Sequence, residues 1–382
     1  MKVLFLNYEY PPIGGGGANA NAYLFREFAR MPELRIDCVT STMGAVDEVV
    51  AMADNITLYR LAVGKKQLHY WTQGEVLRWL WRARRQVGSL QRDHSYDLCH
   101  AFFAFPSGAI AWEARDHCPY LVSLRGSDVP GFNPRFAAQY VVLKPLFRRI
   151  WRQAQAVVAN SEGLRQLAAR LTPELPFKVI PNGIDTEEFF PAPPAELAAP
   201  RLLCVSRLVD RKGVQHLIEA FPAVLQAVPQ AQLTVVGEGN LLEPLRRRVA
   251  ALGLTKAVAF AGHVPHAELP DYYRQAGLFV LPSYYEGMSN TVLEAMASGL
   301  PIVASGEGGR EELLRENAAT VPFADPSALA ATLIELLNDP ARRAVMGAAS
   351  RIIAEEFSWA AVAQRYVEIY REIARKDAPC AV

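Results

Sequence analysis

Apolar residues in this chain gather into short runs, and between the runs they recur at helical spacing. Val3–Leu6 is the first run, and it leads through Pro11-Pro12-Ile13-Gly14-Gly15-Gly16-Gly17 into a helical pattern over Ala18–Arg30. Further runs lie at Ile36–Thr40, Ile56–Leu61, Leu98–Ala101, Tyr120–Leu124, Ala156–Ala159 and Lys178–Ile180, with helical patterns between several of them. Runs that are apolar throughout, alternating with helices, are what a parallel sheet covered on both faces requires. The Pro- and Ala-rich stretch Pro191–Pro200 breaks the rhythm. It restarts at Arg201–Ser206 and continues through Leu233–Val236, Val258–Phe260, Phe279–Leu281, Pro301–Ala304 and Thr320–Val321. Helices are expected at about 213–228, 240–252, 267–276, 290–298 and 327–337. The pattern predicts an α/β protein of two Rossmann-like, doubly wound domains facing across a cleft. The first spans 1–185, a linker spans 186–200 and the second spans 201–357. In Ser358–Lys376, the residues Trp359, Val362, Tyr366, Ile369 and Ile373 recur at helical spacing, which predicts a terminal helix covering core.

Composition narrows the function. A length of 382 residues suits two domains, and 51% hydrophobic residues supply a large core. A net charge of +1 gives no global attraction for nucleic acid, so no nucleic-acid partner is expected. Of the five cysteines (Cys38, Cys99, Cys118, Cys204 and Cys380), none forms a CxxC pair. That usage predicts a reduced, cytoplasmic protein without structural zinc. The apolar run behind Met1-Lys2 is too short for a signal-peptide core. The uncharged stretch Leu98–Trp112 falls short of the ~18–20 residues a membrane span needs. The expectation is a soluble chain, at most peripheral to a membrane.

Four segments could carry chemistry. Glu286-Gly-Met-Ser-Asn-Thr-Val-Leu-Glu294 joins a small-polar turn to an apolar helix. A helix start offers unpaired N–H groups and a positive dipole end to a phosphate, and a carboxylate in that helix can accept from the vicinal hydroxyls of a ribose. Thr291 and Glu294 also have capping-box spacing, so Glu294 could equally cap its own helix. Gly14–Gly17 lets backbone approach a ligand, but it lacks the third glycine of GxGxxG and the Lys-Ser/Thr of a Walker loop. This disfavours a nicotinamide enzyme. After the strand Arg201–Ser206 come Arg207 and Lys212, two cations able to hold a diphosphate and stabilise it as a leaving group, or merely a solvated basic turn. Gly237-Glu-Gly239 is another strand-end glycine turn.

With these residues in hand, the chain resembles a family 4 glycosyltransferase of the GT-B type, retaining in outcome. The resemblance rests on Gly14–Gly17, Asn160-Ser161-Glu162, Pro181-Asn-Gly-Ile-Asp185, Ser206-Arg207 through Lys212-Gly213, Val236-Gly-Glu-Gly239, Phe260-Ala-Gly262, and Pro282-Ser-Tyr-Tyr-Glu-Gly287 through Glu294-Ala-Met-Ala-Ser-Gly. The pieces stand in family order over nearly the whole chain. The resemblance implies transfer from a nucleotide sugar, with uridine the expected base, without metal or other cofactor. Arg207 and Lys212 would bind the diphosphate. Glu294 would accept from the ribose and Glu286 would contact the donor sugar. Met288, Ser289, Asn290 and Thr291 would offer backbone amides to sugar or phosphate, His263 and Val264 would hold the base, and Gly237 and Gly287 would belong to the same donor site. Gly16 and Gly17 would approach phosphate and acceptor from the first domain, and the terminal helix would cross back onto that domain.

One departure concerns proton transfer. Where many relatives carry a His after the strand Tyr120–Leu124, this chain carries Arg125; a guanidinium cannot serve as a base near neutral pH, but it can steady a phosphate or an anionic acceptor, which keeps Arg125 a catalytic candidate. His100 matches the first His of a family His-x-His whose second position is Phe102 here. It either lines the acceptor side or is a core histidine. The donor phosphate itself can take the acceptor's proton in such mechanisms, leaving positioning and charge to carry catalysis.

The acceptor is less legible. Leu77–Arg85 and Leu143–Arg152 mix cations with Trp and Leu, as an anionic membrane face would require, or as helices that bury Trp and Leu and expose Arg would show. The expectation is weak membrane contact and a lipid-linked or cell-surface glycan acceptor, in polysaccharide or lipopolysaccharide synthesis. The alternatives are transfer to a small soluble acceptor and a non-catalytic nucleotide-sugar binding protein.

Overall fold

The computed structural model describes residues 1–68, 70–132, 137–193, 199–284, 288–305 and 313–376. It divides into two compact units, Met1–Gly183 with Trp359–Val382, and Ile184–Ser358.

In the first unit the strands are β1 (Lys2–Leu6), β2 (Arg35–Thr42), β3 (Glu48–Ala53), β4 (Ile56–Ala62), β5 (Leu98–Phe102), β6 (Tyr120–Leu124), β7 (Ala156–Ala159) and β8 (Phe177–Val179). They form one sheet in the order β3-β4-β2-β1-β5-β6-β7-β8. Every neighbouring pair is parallel except the β3–β4 hairpin. The centre is apolar on both faces because both are covered. Trp79, Ala83, Phe147, Ile150 and Trp151 pack on one side. Leu24, Phe25 and Phe28 pack on the other, together with Val362, Tyr366 and Tyr370 of the terminal helix Trp359–Lys376. The antiparallel strand β3 was not foreseen, since its side chains run exposed or half-exposed and Val49 is 69% accessible. An edge strand needs no apolar face, so it leaves no periodic signal.

The two basic, Trp-bearing segments lie in the helices Gln73–Asp93 and Ala137–Gln153. Each buries its seam, with Trp79 and Trp151 inaccessible. The first helix starts with a reciprocal capping box between Thr72 and Glu75. Leu77 and Trp81 face outward on it, and Arg85 stacks over the Trp81 ring at 4.3 Å.

In the second unit β9 (Arg201–Val205), β10 (Gln232–Val236), β11 (Val258–Gly262), β12 (Leu278–Leu281), β13 (Ile302–Ser305) and β14 (Ala318–Val321) form an all-parallel sheet ordered β11-β10-β9-β12-β13-β14. Phe189 and Ala192, which the sequence placed in a linker, are buried in this unit. The Arg351 guanidinium holds the segment by donating to the carbonyls of Thr186, Phe189 and Ala297. Arg351 sits on the helix Pro340–Glu356, another element the sequence reading did not include.

Each sheet has one place where the chain reverses its order of winding. In the first unit β1 is flanked by β2 and β5; in the second β9 is flanked by β10 and β12. Open α/β sheets bind ligands outside the carboxyl ends of such strands.

Candidate functional site

In the second unit four loops meet beyond the carboxyl ends of β9, β10, β11 and β12. Leu208 N–H donates to the Glu238 carbonyl, Gly237 N–H to Gly262, and Tyr284 N–H to Arg211. Backbone on backbone leaves no room for side chains. A Cβ on Gly213 would lie 1.9 Å from the Pro282 oxygen, one on Gly237 1.9 Å from the Ser206 oxygen, and one on Gly239 2.1 Å from the Leu208 oxygen. Gly213 and Gly237 also have φ of +68° and +130°, a region side chains avoid. Gly237, expected at the donor, therefore has a structural reason for being glycine.

The same frame carries the two cations. Arg207 follows β9 and is exposed; Lys212 ends the short 3-10 turn Asp210–Lys212 and is half-buried. Burial pushes the Cys204 thiol on β9 up to about 11, opposed by the Ser206 hydroxyl and then by the positive charge of Lys212.

Glu294 lies in the helix Asn290–Ala297, which follows β12. The N-cap of that helix is Ser289, and no side chain hydrogen-bonds at the cap. The capping role is thus ruled out: Glu294 sits too far along the helix, and its carboxylate is turned elsewhere. Its Oε2 accepts from the Tyr273 hydroxyl at 2.7 Å, and its Oε1 lies 3.6 Å from His266 Nε2. The side chain is only 7% exposed. The Glu294 charge also helps burial hold the Tyr273 hydroxyl well above its ordinary pKa, so that proton stays on tyrosine. Sequence reasoning missed Tyr273 and His266 because a Tyr and a His in an ordinary helical stretch carry no spacing signal.

The other expected donor residues lie at the same edge. His263 is exposed and Val264 buried, just beyond β11. Met288, Ser289, Asn290 and Thr291 lead into the Glu294 helix, with the Ser289 and Thr291 hydroxyls 3.2 Å apart. Glu286 and Gly287 lie outside the described residues.

In the first unit the glycine turn follows β1. Gly15 and Gly16 are exposed, and a Cβ on either would meet nothing within 4 Å. The helix Gly16–Ala29 begins there with no side-chain hydrogen bond from its cap residue, and the Gly15 backbone engages the Glu9 carboxyl. Gly17 differs: a Cβ would lie 2.6 Å from the Phe103 ring. Phe103 has φ of +76°. Asp128 fixes the surrounding turns, accepting from the N–H groups of Ala104, Arg125 and Gly126. Glu9 lies against Gly14, and burial raises its carboxyl above the usual range.

Arg125 donates to Asn182 Oδ1 at 2.5 Å and stacks over Phe102 at 4.5 Å. Its surroundings lower its pKa by desolvation, with Tyr366 and Asp128 opposing. His100 is inaccessible, with Nδ1 2.6 Å from the Tyr370 hydroxyl and Nε2 2.7 Å from Ser123 Oγ. Burial holds its pKa well below the ordinary value, so it stays neutral. Of its two sequence readings, only the core histidine fits. Both ring nitrogens are committed to internal partners, and a catalytic role does not survive.

Residues 14–188 match the family model described as Glycosyltransferase Family 4, and residues 185–352 match Glycosyl transferases group 1. The chain is 32% identical over 314 residues to the D-inositol 3-phosphate glycosyltransferase of Kineococcus radiotolerans, covering 73% of this chain and 72% of that one. It is 33% identical over 248 residues to the GDP-mannose-dependent alpha-(1-6)-phosphatidylinositol monomannoside mannosyltransferase of Mycolicibacterium smegmatis, covering 60% of this chain but only 65% of that one. The solved structure of sucrose-phosphate synthase from Thermosynechococcus elongatus matches with a TM-score of 0.76 at 24% identity, covering 99% of this chain and 100% of that one. That likeness shows the fold, which is of the GT-B type.

Proposed function

Because the chain belongs to family 4 of the glycosyltransferases, we propose that it transfers a sugar from a nucleotide sugar to an acceptor hydroxyl with retention of anomeric configuration and without a metal. The observation that carries this reading is the buried Glu294 carboxylate at the winding reversal of the second unit, at the sheet edge that also carries Arg207 and Lys212. A carboxylate accepts from vicinal ribose hydroxyls, and two cations suit a diphosphate. In the step proposed, the bond between the anomeric carbon and the diphosphate oxygen breaks while the acceptor oxygen bonds to that carbon from the same face. The acceptor's proton passes to the departing phosphate oxygen. Arg207 and Lys212 offset the charge that develops there. The proton needs no protein base, which agrees with a neutral, enclosed His100 and with an arginine at 125. Glu286 is assigned to the donor sugar and His263 and Val264 to the base, by analogy with the family.

The donor nucleotide is proposed as GDP rather than the uridine expected from family frequency, since the mannosyltransferase relative is named GDP-mannose-dependent. The same name supports a lipid-linked acceptor, met by the open glycine turn of the first unit. Among the described residues, no helix is long and apolar enough to cross a membrane. Leu77, Trp81 and Arg85, spaced four apart on one outward helical stripe, support a weak contact with an anionic lipid surface. Arg82 and Arg84 are already engaged by Asp47 and Glu113, so they serve that contact less.

Turnover of GDP-mannose and UDP-glucose with a phosphatidylinositol acceptor tests the activity. Sugar transfer that disappears in Lys212→Ala supports it. Tight nucleotide-sugar binding with no transfer to lipid, glycan or water would point instead to a binding protein.

A further inference from the structure

Two donors face the Glu294 carboxylate, and they differ in kind. Tyr273 is inaccessible, and its hydroxyl gives Oε2 a 2.7 Å hydrogen bond. His266 is 46% exposed, on the short 3-10 turn His266–Glu268, and its Nε2 stands 3.6 Å from Oε1. On the far side of the ring Nδ1 lies 3.5 Å from Glu188 Oε1, and the Phe189 ring meets the imidazole edge-on at 5.5 Å. The imidazole is therefore a bridge between two carboxylates, one nearly buried and one partly open.

A buried carboxylate needs compensation in the empty site, because an ionised group removed from water is costly unless it is paired. Tyr273 alone satisfies one of its acceptor positions; the two oxygens offer about four. A bridging imidazolium meets that need. Ribose hydroxyls reaching Oε1 compete with it for that oxygen. An exposed ring on a single turn can move aside, and the enclosed tyrosine cannot.

We propose that His266, braced by Glu188, is the positioning residue for Glu294, holding the carboxylate in the empty site and yielding Oε1 to the ribose hydroxyls when the nucleotide sugar binds. This rests on the nucleotide reading of the site given above. The consequence is a proton balance. Glu294 foremost, then Glu188, raises the His266 pKa above its ordinary value, with burial opposing. Once ribose displaces it from Glu294, the ring loses its main reason to stay charged and releases a proton. Binding therefore strengthens as pH rises through the interval above the ordinary histidine value, with a ceiling of about tenfold per pH unit for one coupled proton.

Isothermal titration with GDP-mannose and UDP-glucose tests this, run between pH 6 and 8.5 in buffers of different ionisation enthalpy. Nucleotide sugars are suitable because their phosphates are diesters and do not titrate in that range. The wild type is expected to release up to one proton on binding and to gain affinity with pH. His266→Gln is expected to bind at pH 8.5 within about threefold of wild type, with no proton release and a flat pH profile, and Glu188→Gln is expected to release fewer protons. Wild-type proton release in His266→Gln overturns the proposal. So does loss of binding by that variant at every pH, which would make His266 a direct nucleotide contact. Glu294→Gln separates the two levels. If it weakens binding while His266→Gln keeps the wild-type proton release, the proposal fails and the nucleotide site stands. If it binds like wild type, the nucleotide reading fails and takes the proposal with it.

Discussion

Both units carry glycines at the sheet edge where winding reverses, yet the glycines are there for opposite reasons. In the second unit Gly213, Gly237 and Gly239 each press against a carbonyl of a neighbouring loop. They build a rigid frame, and the functional candidates Arg207, Lys212 and Glu294 are mounted on it. In the first unit Gly15 and Gly16 press against nothing. Glycine-rich sequence therefore marks architecture in one place and open approach in the other. Only the neighbouring atoms distinguish the two.

The contrast is most sharply broken by alanine. Gly213→Ala or Gly239→Ala is expected to destabilise by about 4 kcal/mol or more, the range reserved for severe local conflicts. Thermal melting should show this as a fall of roughly 10 °C or more in the second unit's transition. Gly16→Ala should stay within about 1 kcal/mol of wild type, because alanine suits a helix and space is open. Its cost should appear in turnover instead. Equal melting losses at Gly16 and Gly213 would erase the distinction.

The cations come next. Lys212→Ala and Arg207→Ala are each expected to cut turnover by at least ~100-fold, the scale for losing one preorganised charge-stabilising group. Losses under tenfold in both would contradict a leaving-group role. Glu294→Ala should weaken nucleotide-sugar binding by roughly 10- to 100-fold, since hydrogen bonds to charged groups are worth about 1.5–3 kcal/mol. Unchanged affinity in a calorimetric titration would move the nucleotide elsewhere.

How much of this was legible in the sequence differs between fold and site. The buried central strands were readable because a strand covered on both faces must be apolar throughout, as Val3–Leu6 is. The edge strand Glu48–Ala53 was not, because exposure frees it from any pattern. Phe189 looked like linker because proline and alanine follow it, while its burial comes from contacts distant in sequence. Arg207, Lys212 and Glu294 became candidates through their place after strands. The carboxylate's partners were not: Tyr273 and His266 are brought to Glu294 only by the packing of one helix beside another. His100 illustrates the reverse failure, a motif match that the core absorbed.

A smaller effect sharpens the account of the first unit. His100 is held neutral in the folded state, so below its ordinary pKa the unfolded chain binds a proton that the folded chain does not. Stability should therefore fall as pH drops below about 6.5. His100→Gln should flatten that part of the melting-temperature profile. An unchanged slope would show that other groups govern acid stability.

The central claim is that the second unit's reversal edge holds the nucleotide sugar, and amide hydrogen exchange with and without saturating GDP-mannose or UDP-glucose tests it most directly. The account predicts slowed exchange in 206–213, 262–266 and 288–294. Ligand binding that leaves all three segments exchanging at their free rates would contradict it.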